Sequence, residues 1–306
     1  MDAALALGEA ARGTTAPNPN VGAVLVKDGA IIGRGATGPG GRPHAEAVAL
    51  TEAGEATRGA TLFVTLEPCA EPGRGPACAD ALVTAGIARV VAAIGDPHPR
   101  VNGAGFVKLL AAGISVETGP GADAAARSME GFLTRQRSGR PFVTLKLALS
   151  IDGCLATSSG ESKWITGGEA RADVHRERAR ADMVLVGRGT LDADAPRLET
   201  ARRKAVLTSE AAPVGWEIVK EPEAIARLEA VDSILLEGGA GAAAAFLAAD
   251  LVDRLLVYRA PILLGGRPGV GDFGLASLAA AHGRWRRSGT RPLGADMVEI
   301  YERVRP

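Results

Sequence analysis

The sequence predicts two consecutive α/β domains, one over residues 1–140 and one over residues 141–306. Its 306 residues are about twice the length of a typical domain, and chains of this size usually divide into two cores. Strand and helix patterns alternate on both sides of the polar, basic stretch 135–141. This alternation is typical of α/β domains with a largely parallel sheet. We therefore place the domain boundary in that stretch.

In the first half, the apolar spacing over residues 3–10 predicts a helix, which the prolines of Pro17-Asn18-Pro19-Asn20 end with a rigid turn. Residues 21–35 predict a hairpin, because two apolar runs flank Asp28-Gly29, a strong hairpin signal. The pattern then predicts helices over 44–55 and 79–87, and strands over 61–68, 88–99 and 114–119.

The second half repeats this alternation. Its apolar runs predict strands over residues 141–153, 184–187, 204–209, 233–239 and 253–266. A highly charged segment, 167–183, predicts an exposed helix, and the alanine-rich segment 241–253 predicts a second helix. No internal repeat of fixed period is present.

The composition is that of an ordinary globular protein. Hydrophobic residues make up 46% of the chain, and 35 acidic residues balance 35 basic ones, so a nucleic-acid partner is disfavoured. The N-terminus carries Asp2 rather than a basic segment, and no apolar run approaches the ~18 residues of a membrane span. Three cysteines are too few for a disulfide framework, so we expect a cytoplasmic protein without a membrane anchor.

The residues with catalytic chemistry occur in the first domain. His44-Ala45-Glu46 opens a predicted helix, and Pro68-Cys69 is followed by Cys78 at the start of another. One imidazole and two thiolates can bind zinc and leave its fourth position open for water. A glutamate two residues after the histidine can take a proton from that water and deliver it to a leaving amine. This pattern predicts a zinc-dependent deaminase acting on a nitrogen heterocycle.

Other interpretations of these residues remain. Nucleic-acid deaminases, such as the tRNA adenosine deaminases, have two residues between the cysteines, whereas eight residues separate Cys69 from Cys78. A noncatalytic zinc scaffold usually has four protein ligands, and only three are apparent. His-Ala-Glu alone is a common helix start, and Cys154 has no partner signal and is expected to be structural.

Longer segments around these residues resemble the deaminase domain of the bifunctional riboflavin-biosynthesis deaminase/reductases, the RibD family. They are PNPNVGAVLVKDG, GRPHAEAVAL, GATLFVTLEPCAEPGRGPACADAL and IGDPHPRVNGAGF. The resemblance implies a cytidine-deaminase-like α/β/α sandwich with zinc bound by His44, Cys69 and Cys78, and with Glu46 as the proton shuttle. It also implies pyrimidine contacts at Asn18 and Asn20. Ala70-Glu71-Pro72-Gly73 departs from the family's usual Ser-His-His-Gly run, so contacts in this loop are less defined.

The second half resembles the family's reductase domain, which is similar to dihydrofolate reductase and uses NADPH. The matching segments are KLALSIDG, SGESKWITGGEAR, ADMVLVGRGTLDADAPRL, ILLEGGAG and LVDRLLVYRAPILLGG. The resemblance implies substrate contacts at Ser162, Arg178, Leu198 and Glu237. It implies cofactor contacts at Trp164, Thr190, Asp194, Ser209, Gly238 and Gly239. The last two open a helix, where main-chain amides can meet a phosphate.

Two departures leave the activity of this domain open. The DDP-like motif reads Asp194-Ala195-Pro196, and the segment that follows Leu198 is shorter than is common in the family. The expected function is therefore zinc-dependent deamination of a phosphorylated ribosylaminopyrimidine followed by NADPH-dependent reduction of its ribosyl group. The alternative is a deaminase whose second domain is silent. Similar enzymes are often dimers or tetramers, so a homo-oligomer is expected.

Overall fold

A computed structural model of the chain describes residues 1–73, 75–98 and 101–305. It divides into two compact units, Met1–Gly139 and Arg140–Pro306, each with its own apolar core. Pro99, the end of one predicted strand segment, lies outside the described residues, as does Arg74 between the two cysteines. In the described part of the chain, no helix combines the length and the apolar character needed to cross a membrane.

The first unit alternates strands and helices, as the sequence pattern predicts. Its strands are β1 (Gly22–Lys27), β2 (Ala30–Ala36), β3 (Thr61–Leu66), β4 (Arg89–Ile94) and β5 (Ser115–Thr118). Its helices are α1 (Asp2–Ala11), α2 (Ala45–Ala53), α3 (Cys78–Thr84), α4 (Ala104–Ala111), α5 (Ala122–Ser128) and α6 (Glu130–Ser138). Short 3₁₀ turns occupy Pro39–Gly41 and Gly54–Thr57.

Within the described residues, the strands of this unit form one five-stranded sheet in the order β2-β1-β3-β4-β5. Strand β1 pairs antiparallel with β2 and β3, whereas β3, β4 and β5 run parallel. The hairpin turns at Asp28 and Gly29, whose φ angles of 49° and 77° are both positive, as a type I′ turn requires. The predicted hairpin and the parallel strands that follow it are confirmed.

Helix α2 lies directly against β2 because two glycines of the strand leave room for it. A Cβ atom on Gly35 would lie 2.0 Å from the carbonyl oxygen of Ala45, and one on Gly33 would lie 2.3 Å from that of Ala49. Ala45 and Ala49 are small and fully buried. This close approach fixes where α2 begins, and with it the residues at its first turn.

The second unit contains strands β6 (Phe142–Leu149), β7 (Cys154–Ala156), β8 (Met183–Gly187), β9 (Lys204–Leu207), β10 (Glu217–Val219), β11 (Ser233–Glu237), β12 (Arg254–Arg259), β13 (Arg267–Pro268), β14 (Trp285–Leu293) and β15 (Asp296–Arg303). Its helices are α7 (Gly168–Arg180), α8 (Arg188–Asp194), α9 (Ala240–Ala248) and α10 (Leu278–Ala281), with a 3₁₀ turn at Pro222–Arg227.

In the described part of this unit, eight strands form the main sheet in the order β10-β9-β8-β11-β6-β12-β15-β14. The strands from β10 to β12 run parallel, and β15 and β14 continue the sheet antiparallel. Leu145 and Leu147 of β6 and Phe246 of α9 lie in the apolar core. Alternation along β6 leaves Lys146 half-buried on the face opposite to these leucines.

Several elements differ from the sequence prediction, among them the following three. The boundary stretch 135–141 is helical at its start, because α6 continues to Ser138 and ends at Gly139 with φ 68°. The predicted strand 253–266 ends at Arg259, shortly before Pro261, which has no N–H to donate to a neighbouring strand. Helix α7 is not simply exposed, since it buries Ala170, Asp173 and Val174.

Candidate active sites

The first candidate site lies at one edge of the five-stranded sheet. Strands β2 and β3 are both antiparallel to β1, so their carboxyl ends lie at the same edge. After β2 the chain reaches His44, which directly precedes α2, and Glu46 in the first turn of that helix. After β3 it reaches Cys69, and Cys78 begins α3. Residues distant in sequence are thereby brought together.

The imidazole and the two thiols form a compact cluster. His44 Nδ1 lies 3.2 Å from Cys78 Sγ and 3.6 Å from Cys69 Sγ, and the three ligand atoms all lie within 4.8 Å of one another. Tetrahedral zinc with bonds of about 2.0–2.3 Å places its ligand atoms about 3.5 Å apart. The donor set and the spacing therefore fit a zinc ion with one position left for water.

The hydrogen bonds of the cluster polarise its members. A hydrogen bond from the Cys78 thiol lowers the pKa of Cys69 to about 4, and His44 contributes in the same direction. The hydrogen bond to Cys69 raises the pKa of His44. Glu46 is 4% exposed, and its burial raises the pKa of its carboxyl group. The cluster thus combines a thiol whose pKa is lowered with a buried carboxyl group whose pKa is raised.

A cavity of about 300 Å³ opens onto this cluster, and the two asparagines of the PNPN turn relate to it differently. Asn18 lines it, with Nδ2 donating to the Gly41 carbonyl oxygen at 3.0 Å and lying 3.4 Å from His44 Nε2. Asn20 is not among its lining residues. The Asn20 amide is buried and donates to the Gly8 carbonyl oxygen and to Ser128 Oγ, so its hydrogen bonds indicate a structural role.

The second candidate site is a cavity of about 580 Å³ in the unit Arg140–Pro306. Nine residues singled out from the sequence line it: Ser162, Trp164, Arg178, Thr190, Asp194, Leu198, Glu237, Gly238 and Gly239. Ser209 does not belong to the described lining and is exposed beyond the end of β9. A role for Ser209 would therefore need a ligand that extends outside this cavity.

A buried ion pair lies in the second cavity. Arg178 donates to Glu237 through Nε, at 2.5 Å, and through Nη2, at 2.9 Å. Burial would raise the pKa of Glu237, but these hydrogen bonds and the charge of Lys146, whose Nζ lies 3.7 Å away, lower it. Two of the Arg178 donors are thus bonded within the protein, which leaves fewer of them for the substrate contact that the resemblance implies.

The remaining polar contacts order the rim of the cavity. Ser162 donates to Asp194 at 3.0 Å, and Thr190 Oγ1 accepts from the main-chain N–H of Gly239 at 2.8 Å. The Trp164 ring is 71% exposed, and the Arg171 guanidinium lies 4.8 Å from its centroid. The exposed Trp164 ring and the two glycines that precede α9 both line this cavity, and together they suit a planar, phosphate-bearing cofactor.

Comparison with known proteins assigns both halves. The family model described as "Cytidine and deoxycytidylate deaminase zinc-binding region" matches residues 1–94, and the one described as "RibD C-terminal domain" matches residues 141–298. The riboflavin biosynthesis protein RibD of Aquifex aeolicus (strain VF5) is 37% identical to this chain, and the match covers 99% of this chain and 97% of that protein. The chain belongs to the RibD family.

Solved structures of the RibD family share the fold. Form 1 of Acinetobacter baumannii RibD is 36% identical with a TM-score of 0.87, covering 99% of this chain and 98% of that chain. A structure from Thermotoga maritima, described as a diaminohydroxyphosphoribosylaminopyrimidine deaminase/5-amino-6-(5-phosphoribosylamino)uracil reductase, is 32% identical with a TM-score of 0.89, covering 99% and 97%. The expected succession of a deaminase fold and a reductase fold is confirmed, and zinc and NADPH are the cofactors of the family.

Several polar residues of the two RibD cavities were not predicted. Glu67, Asp96 and Arg42 line the deaminase cavity, and Lys146 and His175 line the reductase cavity. Lys146 could have been singled out from the sequence, because it lies between two leucines at the centre of a predicted parallel strand. Both faces of such a strand are usually apolar, so a charged residue there indicates a site. For Glu67 and Asp96 the sequence offers only their position at strand ends.

Proposed function

We propose that the chain catalyses two consecutive steps of riboflavin biosynthesis. The first is hydrolytic deamination of 2,5-diamino-6-ribosylamino-4(3H)-pyrimidinone 5′-phosphate. The second is NADPH-dependent reduction of the ribosyl side chain of the product to a ribityl side chain. The observation that carries the first step is the convergence of His44, Cys69 and Cys78 beside the buried Glu46.

In the deaminase site, His44, Cys69 and Cys78 would hold zinc. When bound, zinc supplies the Lewis-acid polarisation that makes water a nucleophile at neutral pH. Glu46 takes a proton from the attacking water and delivers it to the departing amino group, so one water enters and one ammonia leaves. Burial keeps the Glu46 carboxyl away from bulk solvent, so the proton it carries stays in the site.

In the reductase site, Trp164, Thr190 and the glycines before α9 would hold the nicotinamide cofactor. When bound, NADPH supplies the hydride for C1 of the ribosyl group. The neighbouring Lys146, Arg178 and Glu237 provide fixed charges that orient the sugar and its phosphate. Positioning is the main task of the protein in this step, because the cofactor provides the reactive hydride.

A deaminase with a silent second domain is the alternative function. Ala195, at the end of α8 with φ 41°, replaces the second acidic residue of the family motif. The loss of that carboxylate favours this alternative. However, the neighbouring Asp194 still accepts from Ser162 and lines a cavity of ligand size. We therefore propose that reduction is retained.

One experiment tests both steps. The zinc-loaded protein is incubated with the diaminopyrimidinone ribosyl phosphate and NADPH, and ammonia release and cofactor absorbance are followed separately. Glu46→Gln should lower deamination by about 10²- to 10⁴-fold, the usual contribution of a general acid-base group, and leave reduction of the deaminated product unchanged. Ammonia release without NADPH oxidation would support the silent-domain alternative. The absence of both signals would refute the substrate assignment.

We also propose that the protein is a cytoplasmic homo-oligomer. None of the three cysteines, all of them described, forms a disulfide bond, which suits a reducing compartment. Ile151 and Leu263 are exposed apolar residues of the second unit, at 54% and 72%, and a main-chain hydrogen bond joins Ile151 to Ile262 beside them. Light scattering of the purified protein should give a multiple of the monomer mass, and Leu263→Glu should lower it.

A further inference from the structure

The deaminase cavity contains a cation with no role in the steps above. Arg42 directly follows the turn Pro39–Gly41, is half-buried, and is the only lysine or arginine among the described residues that line this cavity. The cavity's acidic side chains are more numerous: Glu46, Glu67, Glu71 and Asp96. A single guanidinium therefore provides the permanent positive charge of the described lining.

Arg42 forms no ion pair or side-chain hydrogen bond within the described residues, unlike the half-buried Arg12 and Arg178, which pair with glutamates. The donors of a half-buried guanidinium that has no protein acceptor among the described residues are available to a ligand in the cavity that it lines. Gly73, in the loop between the two cysteines, leaves room for the Arg42 guanidinium. A Cβ atom on Gly73 would lie 2.8 Å from Arg42 Nη2.

We propose that Arg42 binds the 5′-phosphate of the pyrimidine substrate in the deaminase site and selects the phosphorylated compound over the free riboside. This assignment rests on the deaminase function proposed above. A phosphate monoester carries nearly two negative charges, which the surrounding carboxylates repel and a guanidinium fork binds through paired hydrogen bonds. The two residues from Arg42 to His44 span at most about 7 Å, so a ring at the zinc site and a phosphate at Arg42 fit one molecule.

The test compares two substrates in matched variants. Ammonia release is measured with the 5′-phosphate and with the dephosphorylated riboside, for wild type, Arg42→Gln, Arg42→Lys and Arg58→Gln. Arg58 is the control, because it is an exposed arginine of the same unit whose guanidinium also lies against a glycine, Gly86, but outside the cavity lining. Zinc content and reduction of the deaminated product are measured on each protein to verify folding.

Arg42→Gln should lower kcat/KM for the 5′-phosphate by about 10- to 100-fold, mainly through KM, as expected for lost hydrogen bonds to a charged group. Its kcat/KM for the riboside should stay at the wild-type value. Arg42→Lys should recover part of the loss, and Arg58→Gln should behave as wild type. Equal losses on both substrates, with or without loss of zinc, would refute the phosphate assignment, as would no loss on either. Wild type that releases no ammonia from either compound would instead refute the deaminase function itself.

Discussion

At the scale of single residues, Glu67 shows how a side chain can act on a site through the main chain of its neighbours. The buried carboxylate accepts from the amides of Asp96 and Gly103 through Oε2, at 3.1 and 3.0 Å, and from that of Gly105 through Oε1, at 2.9 Å. These bonds anchor the segment after β4, from which Asp96 and His98 line the deaminase cavity. Glu67 is thus a positioning residue for the cavity wall.

We expect Glu67→Gln to raise KM for deamination more than it lowers kcat. The glutamine amide has a single acceptor oxygen, so a buried main-chain N–H loses its partner, at a cost of about 1–3 kcal/mol. Steady-state kinetics of ammonia release measure the change, with zinc content and reductase activity as controls. A variant with unaltered KM would contradict the positioning role.

The ion pair of Arg178 and Glu237 makes stability depend on pH. The hydrogen bonds from Arg178 keep the pKa of Glu237 in the folded state below its unfolded value of about 4.3. This group therefore contributes stability above that value and loses the contribution as pH falls through the folded-state pKa.

Arg178→Met should destabilise the second unit by about 3 kcal/mol, because it leaves a buried carboxylate without its main partner. The pKa of Glu237 should then rise, and acid unfolding should begin at a higher pH than in wild type. Urea unfolding at several pH values provides the measurement. Arg188→Met, which removes an exposed pair with Asp192, should leave the unfolding curve close to that of wild type, because solvent screens an exposed ion pair. Equal effects of the two variants would be evidence against a special role for the buried pair.

At the scale of elements, the contact between β2 and α2 determines where His44 and Glu46 lie. Gly35→Ala would place a Cβ atom 2.0 Å from the Ala45 carbonyl oxygen, so α2 would have to shift away from the sheet. His44 and Glu46 are at the start of that helix and would move with it.

We therefore expect Gly35→Ala to lower zinc affinity and deamination while reduction by the second unit persists. Zinc titration and the two separate assays measure these effects. Gly189→Ala is the matched control, because a Cβ atom on this helical glycine would meet no heavy atom within 4 Å. If the Gly35 variant retained zinc as tightly as wild type, this account of the helix position would be wrong.

The elements also show what the sequence can predict. The β1–β2 hairpin is predictable because Asp28-Gly29 meets a local dihedral requirement. The β14–β15 hairpin is not, because β14 is an edge strand whose residues are mostly exposed and need no apolar alternation. Among the candidate site residues, the zinc cluster is predictable because the metal restricts its ligand types. The different surroundings of Asn18 and Asn20 are not predictable, because Asn20 bonds to Gly8 and Ser128, which only folding brings near.

At the scale of the whole molecule, the two candidate sites belong to units with separate apolar cores. Removing zinc with a chelator should abolish ammonia release and leave NADPH-dependent reduction of the deaminated product intact. Assays of each step before chelation, after it, and after zinc is restored provide the measurement. Loss of both activities on chelation would contradict this independence.

The main-chain bonds of Glu67 also bear on how such an enzyme can evolve. Every residue type except proline presents the same N–H group, so a substitution at position 96 leaves the main-chain hydrogen bond to Glu67 in place. The Asp96 carboxylate also accepts from the main-chain N–H of His98, so the local turn is kept best by residues that retain an acceptor there. Mutations of the His98 side chain, or of Asp96 to another residue with an acceptor, can alter the chemistry that faces the substrate while the bonds from Glu67 keep the segment in place. Descendants can therefore acquire new substrate preferences here without first losing the scaffold of the deaminase site.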